Sequence, residues 1–358
     1  MPCISTQPLF DFNDITIVPH TTTDIISRSE CHSYDSTGFL PLYTAPMTSV
    51  IDETNAQYFE QAHIHTVLPR TVPFETRILY SEQHYSAFGL QEIESIIAEH
   101  TSYPNIRYVL IDIANGHMQK MVDLIKKLKT IYGSTLHIMA GNIANPETYT
   151  VLAQAGCSAV RVGIGGGNAC STSANAAVHY PYGSLIVGCR EQKERHGLTT
   201  DIIADGGMKW FSDIIKALAL GADAVMVGSL LNKALESAGK TTVLQWDGTD
   251  ERYTVGDIVD QFDPVVANDF KQGLKLVKEY YGMSTKRAQK EMGKTDLKTS
   301  EGIIKTQSVE YTLAQWTENF HDYLTSTMSY SNARTLPEFI GKANYCLITT
   351  HAFNRFHK

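Results

Sequence analysis

A glycine-rich segment that ends in a cysteine is the first place in this sequence that could do chemistry. Residues 163–172 read GIGGGNACST, so four glycines in five positions precede Cys170. Such a backbone folds tightly and exposes its amides and carbonyls. An amide-rich setting favours the thiolate form of a cysteine, and Thr172 offers a hydroxyl that could relay a proton. The segment indicates a nucleophilic thiol, and a flexible glycine loop with an incidental thiol is the alternative.

Two further turns could hold a phosphate. Asp205-Gly206-Gly207 and Gly228-Ser229 each follow a short apolar run. Glycine amides and a serine hydroxyl are suitable donors to phosphate oxygens, and an aspartate at a strand end could accept hydrogen bonds from ribose hydroxyls. Each turn could also be an ordinary one. Together with the cysteine segment, the turns predict a site that combines phosphate binding with a nucleophile.

The elements that must position these turns are short apolar runs with helical patterns between them. Most of the runs are continuously apolar, as in parallel strands buried on both faces. They are Leu42–Ala45, His65–Leu68, Tyr85–Phe88, Tyr108–Asp112, Leu136–Ala140, Ala159–Val162, Ile202–Ala204 and Ala224–Val227. Amphipathic stretches at Met118–Ile131, Pro146–Ala155 and Trp210–Leu220 lie between them. We predict a (β/α)8 TIM barrel with its site at the carboxyl ends of the strands; a doubly wound open sheet is the alternative.

The alternation of strands and helices stops after the eighth strand. Residues 240–312 are polar and charged, and within them Thr241–Thr254 predicts a hairpin. Residues 255–280 look helical, and residues 284–302, rich in Lys, Thr, Ser and Gly, predict a mobile flap. A helix returns at Thr312–Ser326. We therefore expect a hairpin, an insertion and an active-site flap in this part of the chain.

Composition and charge bound the kind of protein. The chain has 358 residues, of which 43% are hydrophobic and 19% charged, which fits either one domain with elaborated loops or two domains. With the barrel pattern, we predict a single catalytic domain over 1–358. A net charge of −8 argues against a nucleic-acid backbone as partner. No apolar run approaches the roughly 20 residues of a membrane span, and we expect no signal peptide because a basic n-region is missing. The scattered cysteines, with no CxxC pair, favour a cytoplasmic, reducing compartment.

Ordered motifs along almost the whole chain resemble the IMP dehydrogenase/GMP reductase family. They are DFNDITIVP at 11–19, APMTSV at 45–50, DIANG at 112–116, MAGN at 139–142, the cysteine segment, IADGG at 203–207, VMVGSLL at 225–231, YGMS at 281–284 and SEG at 300–302. The resemblance implies that the Cys170 thiolate attacks C2 of a bound purine and forms a covalent thioimidate. A nicotinamide would exchange a hydride with the same carbon. Gly165, Gly167 and Cys170 resemble the carbonyl ligands of the family's monovalent cation, potassium.

The resemblance also implies which residues bind substrate and cofactor. The substrate set is Asp205, Gly206, Gly207, Gly228, Ser229, Gly282, Met283, Ser284, Lys298 and Gly302. The cofactor set is Ser27, Arg28, Arg70, Asp112, Ile113, Ala114, Ile164, Gly165 and Tyr330. The segments around Ser27-Arg28 and Tyr330 look like those that reach a neighbour's cofactor in four-fold assemblies. We therefore expect a homotetramer.

Three features favour the reductase branch of the family. No insertion for a regulatory CBS domain pair interrupts the chain between the second and third strands. The flap lacks the Arg-Tyr dyad that activates water in the dehydrogenases. Glu301 resembles the glutamate that works with the threonine of the cysteine segment, here Thr172, to protonate departing ammonia. The implied activity is the NADPH-dependent reductive deamination of GMP to IMP and ammonia.

Departures from the family pattern keep other functions open. Ser171 and Ser173 stand where the family has a threonine and an arginine, and Thr48 replaces an aspartate. Lys298 stands where reductases usually carry arginine, and Asn168 replaces a serine. The alternatives are a dehydrogenase without CBS domains, an enzyme for another 2-substituted purine nucleotide, and a non-catalytic nucleotide-binding relative.

Overall fold

The computed structural model describes residues 8–167, 172–248, 251–297, 299–300 and 302–356. Its strands are β1 (Ile15–Ile17), β2 (Leu42–Thr44), β3 (Val67–Leu68), β4 (Tyr85–Phe88), β5 (Tyr108–Asp112), β6 (His137–Ile143), β7 (Ala159–Val162), β8 (Asp201–Asp205), β9 (Ala224–Val227), β10 (Thr241–Gln245), β11 (Ile258–Val259), β12 (Lys275–Tyr281), β13 (Ile304–Ser308) and β14 (Tyr345–Leu347). Its helices are α1 (Ala56–Gln61), α2 (Phe74–Tyr80), α3 (Leu90–Ala98), α4 (Gln119–Tyr132), α5 (Pro146–Ala155), α6 (Thr172–Ala176), α7 (Tyr182–Arg195), α8 (Phe211–Leu220), α9 (Ser229–Asn232), α10 (Pro264–Lys271), α11 (Lys286–Glu291), α12 (Leu313–Tyr330), α13 (Leu336–Phe339) and α14 (Thr350–Phe356).

Strands β2 to β9 form one parallel sheet that closes on itself. Their order is β2-β9-β8-β7-β6-β5-β4-β3, and a parallel bridge between Tyr43 and His65 joins the two outer strands. Helices connect successive strands around the outside. The predicted TIM barrel is confirmed, and the open doubly wound sheet is wrong because its edge strands would not meet.

The apolar runs form strands because both faces of each strand are buried. Residues that share the barrel interior are Ala45, Val67, Ala87, Leu110, Met139, Ala159, Ile203, Ala224 and Met226. Their neighbours along the strands, such as Val109 and Ile111 on β5, pack outward beneath the helices. In the described part of the chain, no helix is both long and apolar enough to cross a bilayer.

Side-chain caps fix the ends of the helices between the strands. At α5 the Asn145 side chain accepts from the N–H of Glu147, and the helix stops at Gly156, which has φ +115°. At α8 the Asp213 carboxylate accepts from the N–H groups of Lys209 and Trp210, at 2.8 and 3.2 Å. These caps fix the first residues of α5 and α8, and so fix the ends of the loops that follow β6 and β8. The helices predicted for α4, α5 and α8 are confirmed to within one residue at each end.

Outside the barrel, β10 to β13 form an antiparallel sheet in the order β11-β10-β12-β13. The predicted hairpin is wrong in its return strand, because β10 pairs with Ile258–Val259, which lies beyond Thr254. The helical prediction for residues 255–280 holds only at α10, since Lys275–Tyr281 is a central strand. The alternation of polar and apolar residues that marks a strand is interrupted here, because a lysine occupies one of the inward positions.

Lys278 is that inward residue, and only 1% of its surface is exposed. Its Nζ donates to the carbonyl of Leu235 at 2.7 Å and to the carbonyl of Ser237. Burial lowers the pKa of Lys278 to about 7. These bonds tie β12 to the segment after α9, and so place the end of β12 beside the carboxyl ends of the barrel strands.

The opposite, amino-terminal mouth of the barrel contains a stack of rings. The His65 ring lies between Phe39 and Tyr43, with centroids 4.5 and 4.7 Å away, and its Nε2 lies 2.7 Å from Asp35 Oδ2. Burial alone would raise the pKa of Asp35. Hydrogen bonds from His65, Thr37 and the N–H of Phe39 outweigh burial and lower that pKa from 3.8 to about 2.

Asp35 should therefore contribute acid-dependent stability. Because its folded pKa lies below its unfolded value, the contribution is complete above pH 3.8 and is lost as the pH falls from 3.8 towards 2. Between pH 3.8 and 2, the free energy of unfolding of the wild type should fall by about 1 kcal/mol because of Asp35, after allowance for solvent screening. Asp35→Asn should lack this part of the fall. Urea titrations across this pH range would measure it. Asp123→Asn, on the exposed face of α4, is the control, and an equal loss in both variants would contradict the assignment.

Candidate active site

A cavity of about 410 Å³ opens at the carboxyl ends of the barrel strands. The loops after β2, β5, β7, β8 and β9 all contribute to its wall, and the segment after β12 closes one side. Residues predicted for the site that line this cavity are Arg70, Asp112, Ile113, Ala114, Gly165, Gly167, Asp205, Gly206, Gly207, Gly228, Ser229, Gly282, Met283 and Ser284. The fold thus brings most of the predicted site together.

Other predicted residues lie elsewhere or outside the described residues. Arg28 forms an exposed ion pair with Asp322 at 2.9 Å, close to Ser27. Tyr330 lines a separate groove of about 240 Å³ between β1, α8 and α12. Residues predicted for the site that do not line the cavity, as far as the structure describes it, are Ile164, Thr172 and Gly302. Cys170, Lys298 and Glu301 lie outside the described residues.

A buried ion-pair network lies across the floor of the cavity. Arg161, on β7, is 6% exposed; its Nη1 lies 2.5 Å from Asp112 Oδ1 and its Nη2 lies 2.7 Å from Asp205 Oδ2. Asn142 Nδ2 donates to the same Asp205 oxygen at 2.6 Å. Burial opposes the charged form, but the two carboxylates outweigh it and raise the pKa of Arg161. Arg161 is therefore a permanent cation that holds both carboxylates in place.

Two glycine segments meet above this network. The glycine loop, Gly163–Gly167, packs directly on the aspartate turn, Asp205–Gly207. Gly206 and Gly207 have φ of +82° and +85°, which side chains rarely adopt. A Cβ on Gly207 would lie 2.8 Å from the carbonyl oxygen of Gly166. Only glycine lets the two backbones approach this closely while their polar groups line the cavity.

Gly207→Ala should weaken the binding of a nucleoside monophosphate. The added methyl group would push the aspartate turn away from the glycine loop, at a cost of about tenfold to a hundredfold in affinity, the worth of a hydrogen bond to a charged group. Gly38→Ala is the matched control, since Gly38 has φ +84° but nothing within 4 Å of its Cβ position. Calorimetric titration measures both. Unchanged affinity in Gly207→Ala would place the phosphate elsewhere.

One wall of the cavity is apolar and rich in sulfur. Met47, Met226 and Met283 line it together with Gly282 and Ser284 at the end of β12. Thr48 Oγ1 lies 3.9 Å from Met283 Sδ and 2.8 Å from Thr71 Oγ1. Thioethers are polarisable and pack well on aromatic rings. This wall therefore suits a flat heterocycle.

Sequence reasoning missed several residues that line the cavity, among them Asn142, Arg161, Tyr182 and Lys294. Arg161 carried a usable signal, because it is a charge inside an otherwise apolar strand and acidic residues end two other strands of the barrel. Asn142 ends the MAGN motif directly after the buried stretch of β6. Tyr182 and Lys294 have no comparable local signal.

Comparison with known proteins decides the family. A model described as the IMP dehydrogenase/GMP reductase domain matches residues 87–357, well over half of the chain. The chain belongs to the IMP dehydrogenase/GMP reductase family. This family consists of oxidoreductases that act on purine nucleotides with a nicotinamide cofactor.

Similar proteins include both GMP reductases and an inosine-5'-monophosphate dehydrogenase. A GMP reductase of Oceanobacillus iheyensis is 29% identical and covers 97% of this chain and 98% of its own. A GMP reductase of Phytophthora infestans is 26% identical over 98% of this chain and 93% of its own. An inosine-5'-monophosphate dehydrogenase of Bacillus subtilis is 43% identical, but over 39% of this chain and 28% of its own. The full-length likeness is to proteins named GMP reductase.

Proposed function

We propose that this chain is a GMP reductase that converts GMP to IMP and ammonia with NADPH, through a covalent thioimidate on Cys170. One observation carries the proposal. The cavity gathers the aspartate turn, Gly228-Ser229 and Gly282–Ser284 around the glycine loop that leads to Cys170. The relatives matched over their full length and named GMP reductase support the direction of the reaction.

The substrate would lie along the floor and the sulfur-rich wall of the cavity. Amides of Gly206, Gly207 and Gly228, with the Ser229 hydroxyl, would hold the phosphate. Asp205 would accept from the ribose hydroxyls, with its Oδ2 already fixed by Arg161 and Asn142. The purine base would contact Gly282, Met283 and Ser284, and Lys298 and Gly302 would close over it from the flap.

The chemistry would proceed by bond exchange at C2. A bond forms between the Cys170 sulfur and C2 while the bond from C2 to the amino nitrogen breaks. Glu301, through the Thr172 hydroxyl, would deliver the proton that lets ammonia leave. When bound, a nicotinamide would supply hydride chemistry at C2. Release of the product from Cys170 would break the carbon–sulfur bond and restore the thiolate. In sum, GMP, NADPH and two protons give IMP, an ammonium ion and NADP⁺.

We propose that the site holds both a nicotinamide and a monovalent cation. Residues that would hold the nicotinamide half are Arg70, Asp112, Ile113, Ala114, Ile164 and Gly165, while Ser27, Arg28 and Tyr330 would meet a neighbour's cofactor in a homotetramer. Backbone carbonyls are the ligands that suit potassium. The Gly165 backbone, at φ +81°, curves through the glycine loop. Its carbonyl, with those of Gly167 and Cys170, would hold the ion.

The deciding experiment is incubation with GMP and NADPH, following the loss of nicotinamide absorbance and the release of ammonia. We expect the two signals in equal amounts. Oxidation of IMP with NAD, without reduction of GMP, would place the chain in the dehydrogenase branch. Tight binding of a purine mononucleotide with neither reaction would mark a non-catalytic relative. Turnover of another 2-substituted purine nucleotide in place of GMP would correct the substrate.

We also propose that residues 1–358 act as a single catalytic domain in a cytoplasmic homotetramer. The exposed position of Arg28 and the surface groove at Tyr330 support contacts between copies. Sedimentation under assay conditions tests the assembly, and a monomer that is fully active would contradict it.

A further inference from the structure

We infer that Tyr182 is the positioning residue that sets the distance between the glycine loop and the aspartate turn. Tyr182 begins α7 directly after Pro181 and is 3% exposed. It touches both segments at once, one through its ring and the other through its hydroxyl. Only the catalytic consequence of this inference rests on the proposed function.

The ring of Tyr182 packs against the glycine loop. A Cβ added at Gly163 or at Gly166 would overlap ring atoms of Tyr182. Gly163 has φ +125° and Gly166 faces the ring from the other end of the loop. The ring therefore occupies the space that side chains at these two positions would need, and it supports the loop along its length.

The hydroxyl of Tyr182 reaches the aspartate turn. It donates a short hydrogen bond to the backbone carbonyl of Asp205. The carboxylate of the same residue is held by Arg161 and Asn142. Asp205 is thus fixed through its main chain by Tyr182 and through its side chain by the ion-pair network.

The tyrosine cannot withdraw, because other side chains pack around its ring. The Phe12 ring lies 5.9 Å away and is itself buried. The His179 ring lies 6.1 Å away, and its Nδ1 is 2.9 Å from the carbonyl oxygen of Ile164, within the glycine loop. The Tyr182 side chain therefore fixes the distance between the glycine loop, which precedes Cys170, and the aspartate turn, which is proposed to hold the phosphate. Misplacement of reacting atoms by about 1 Å can cost a hundredfold in rate.

Tyr182→Phe tests this inference, with Tyr149→Phe as the matched control. Tyr149 is also buried and donates its hydroxyl to a carbonyl, that of Thr200 at 2.6 Å, near the start of β8 and away from the cavity. Both variants lose one buried hydroxyl-to-carbonyl bond. We expect Tyr182→Phe to lower kcat for GMP by about tenfold to a hundredfold and, because the aspartate turn is also proposed to hold the phosphate, to raise KM as well. Tyr149→Phe should leave kcat within about twofold.

Hydrogen exchange gives a readout that does not depend on turnover. Peptides that cover the glycine loop and the aspartate turn should exchange faster in Tyr182→Phe than in wild type, and should be unchanged in Tyr149→Phe. Equal exchange in all three proteins, or equal loss of kcat in both variants, would overturn the inference. If the wild type does not reduce GMP, the proposed function fails, and the exchange comparison still decides the role of Tyr182.

Discussion

Cys170→Ala should abolish the reduction of GMP while the protein still binds the nucleotide. Without the thiol no bond to C2 can form, and removal of a nucleophile in covalent enzymes costs roughly 10⁴-fold or more in kcat. The phosphate and ribose contacts proposed for the aspartate turn and Gly228-Ser229 do not involve this side chain. Single-turnover assays with NADPH measure the loss, and calorimetry with GMP measures the retained affinity.

The remaining thiols provide controls for that experiment. Cys346→Ser changes an exposed thiol on β14 and should keep full activity. Cys157 is buried, and burial raises its pKa to about 12, so that it stays a thiol at neutral pH. Turnover that survives in Cys170→Ala would exclude the covalent mechanism, and loss of activity in Cys346→Ser would point to a different nucleophile.

Glu301→Gln should lower kcat by about 10²- to 10⁴-fold, the usual contribution of a general acid or base. Glutamine keeps the shape of the side chain but cannot deliver the proton that departing ammonia needs. Affinity for GMP should change little, because the proton matters only in the transition state. Stopped-flow measurement of ammonia release, together with GMP titration, separates the two quantities.

Glu310→Gln is the control for the flap carboxylate. Glu310 is an exposed carboxylate that forms an ion pair with Lys233 at 2.8 Å. Its replacement should leave kcat within about twofold, since exposed pairs contribute little. A wild-type kcat in Glu301→Gln would make Glu301 a solvated carboxylate without a catalytic role. Another group would then have to protonate the leaving ammonia.

Much of the barrel could be predicted from local sequence because its strands are buried on both faces. Continuous apolar runs at Tyr108–Asp112 and Ala224–Val227 can form parallel strands without reference to their partners. The ends of α5 follow from Asn145, Pro146 and Gly156. Each of these patterns spans only a few residues, so the strand or helix end that it marks can be predicted without knowing the fold.

The parts that local sequence did not predict depend on distant partners. The strand Lys275–Tyr281 has its inward lysine satisfied by carbonyls about forty positions earlier in the chain, and no local pattern shows that pairing. The bonds from Arg161 join strands 49 and 44 positions away. The glycine motifs predicted that the glycine loop and the aspartate turn belong to one site, and both line the cavity. The ring of Tyr182 between them follows only from the packing of α7.

Arg161 forms ion pairs with both Asp112 and Asp205, so the strength of one pair depends on the strength of the other. A ligand hydroxyl that donates to Asp112 weakens the ion pair between Asp112 and Arg161, so that Arg161 binds Asp205 more strongly. A hydroxyl that donates to Asp205 strengthens the pair between Arg161 and Asp112 in the same way. Thermodynamic reciprocity requires that each effect equal the other. Ligands that contact the two carboxylates would thus change each other's affinity through a single cation, and their order of binding would leave the final affinity unchanged.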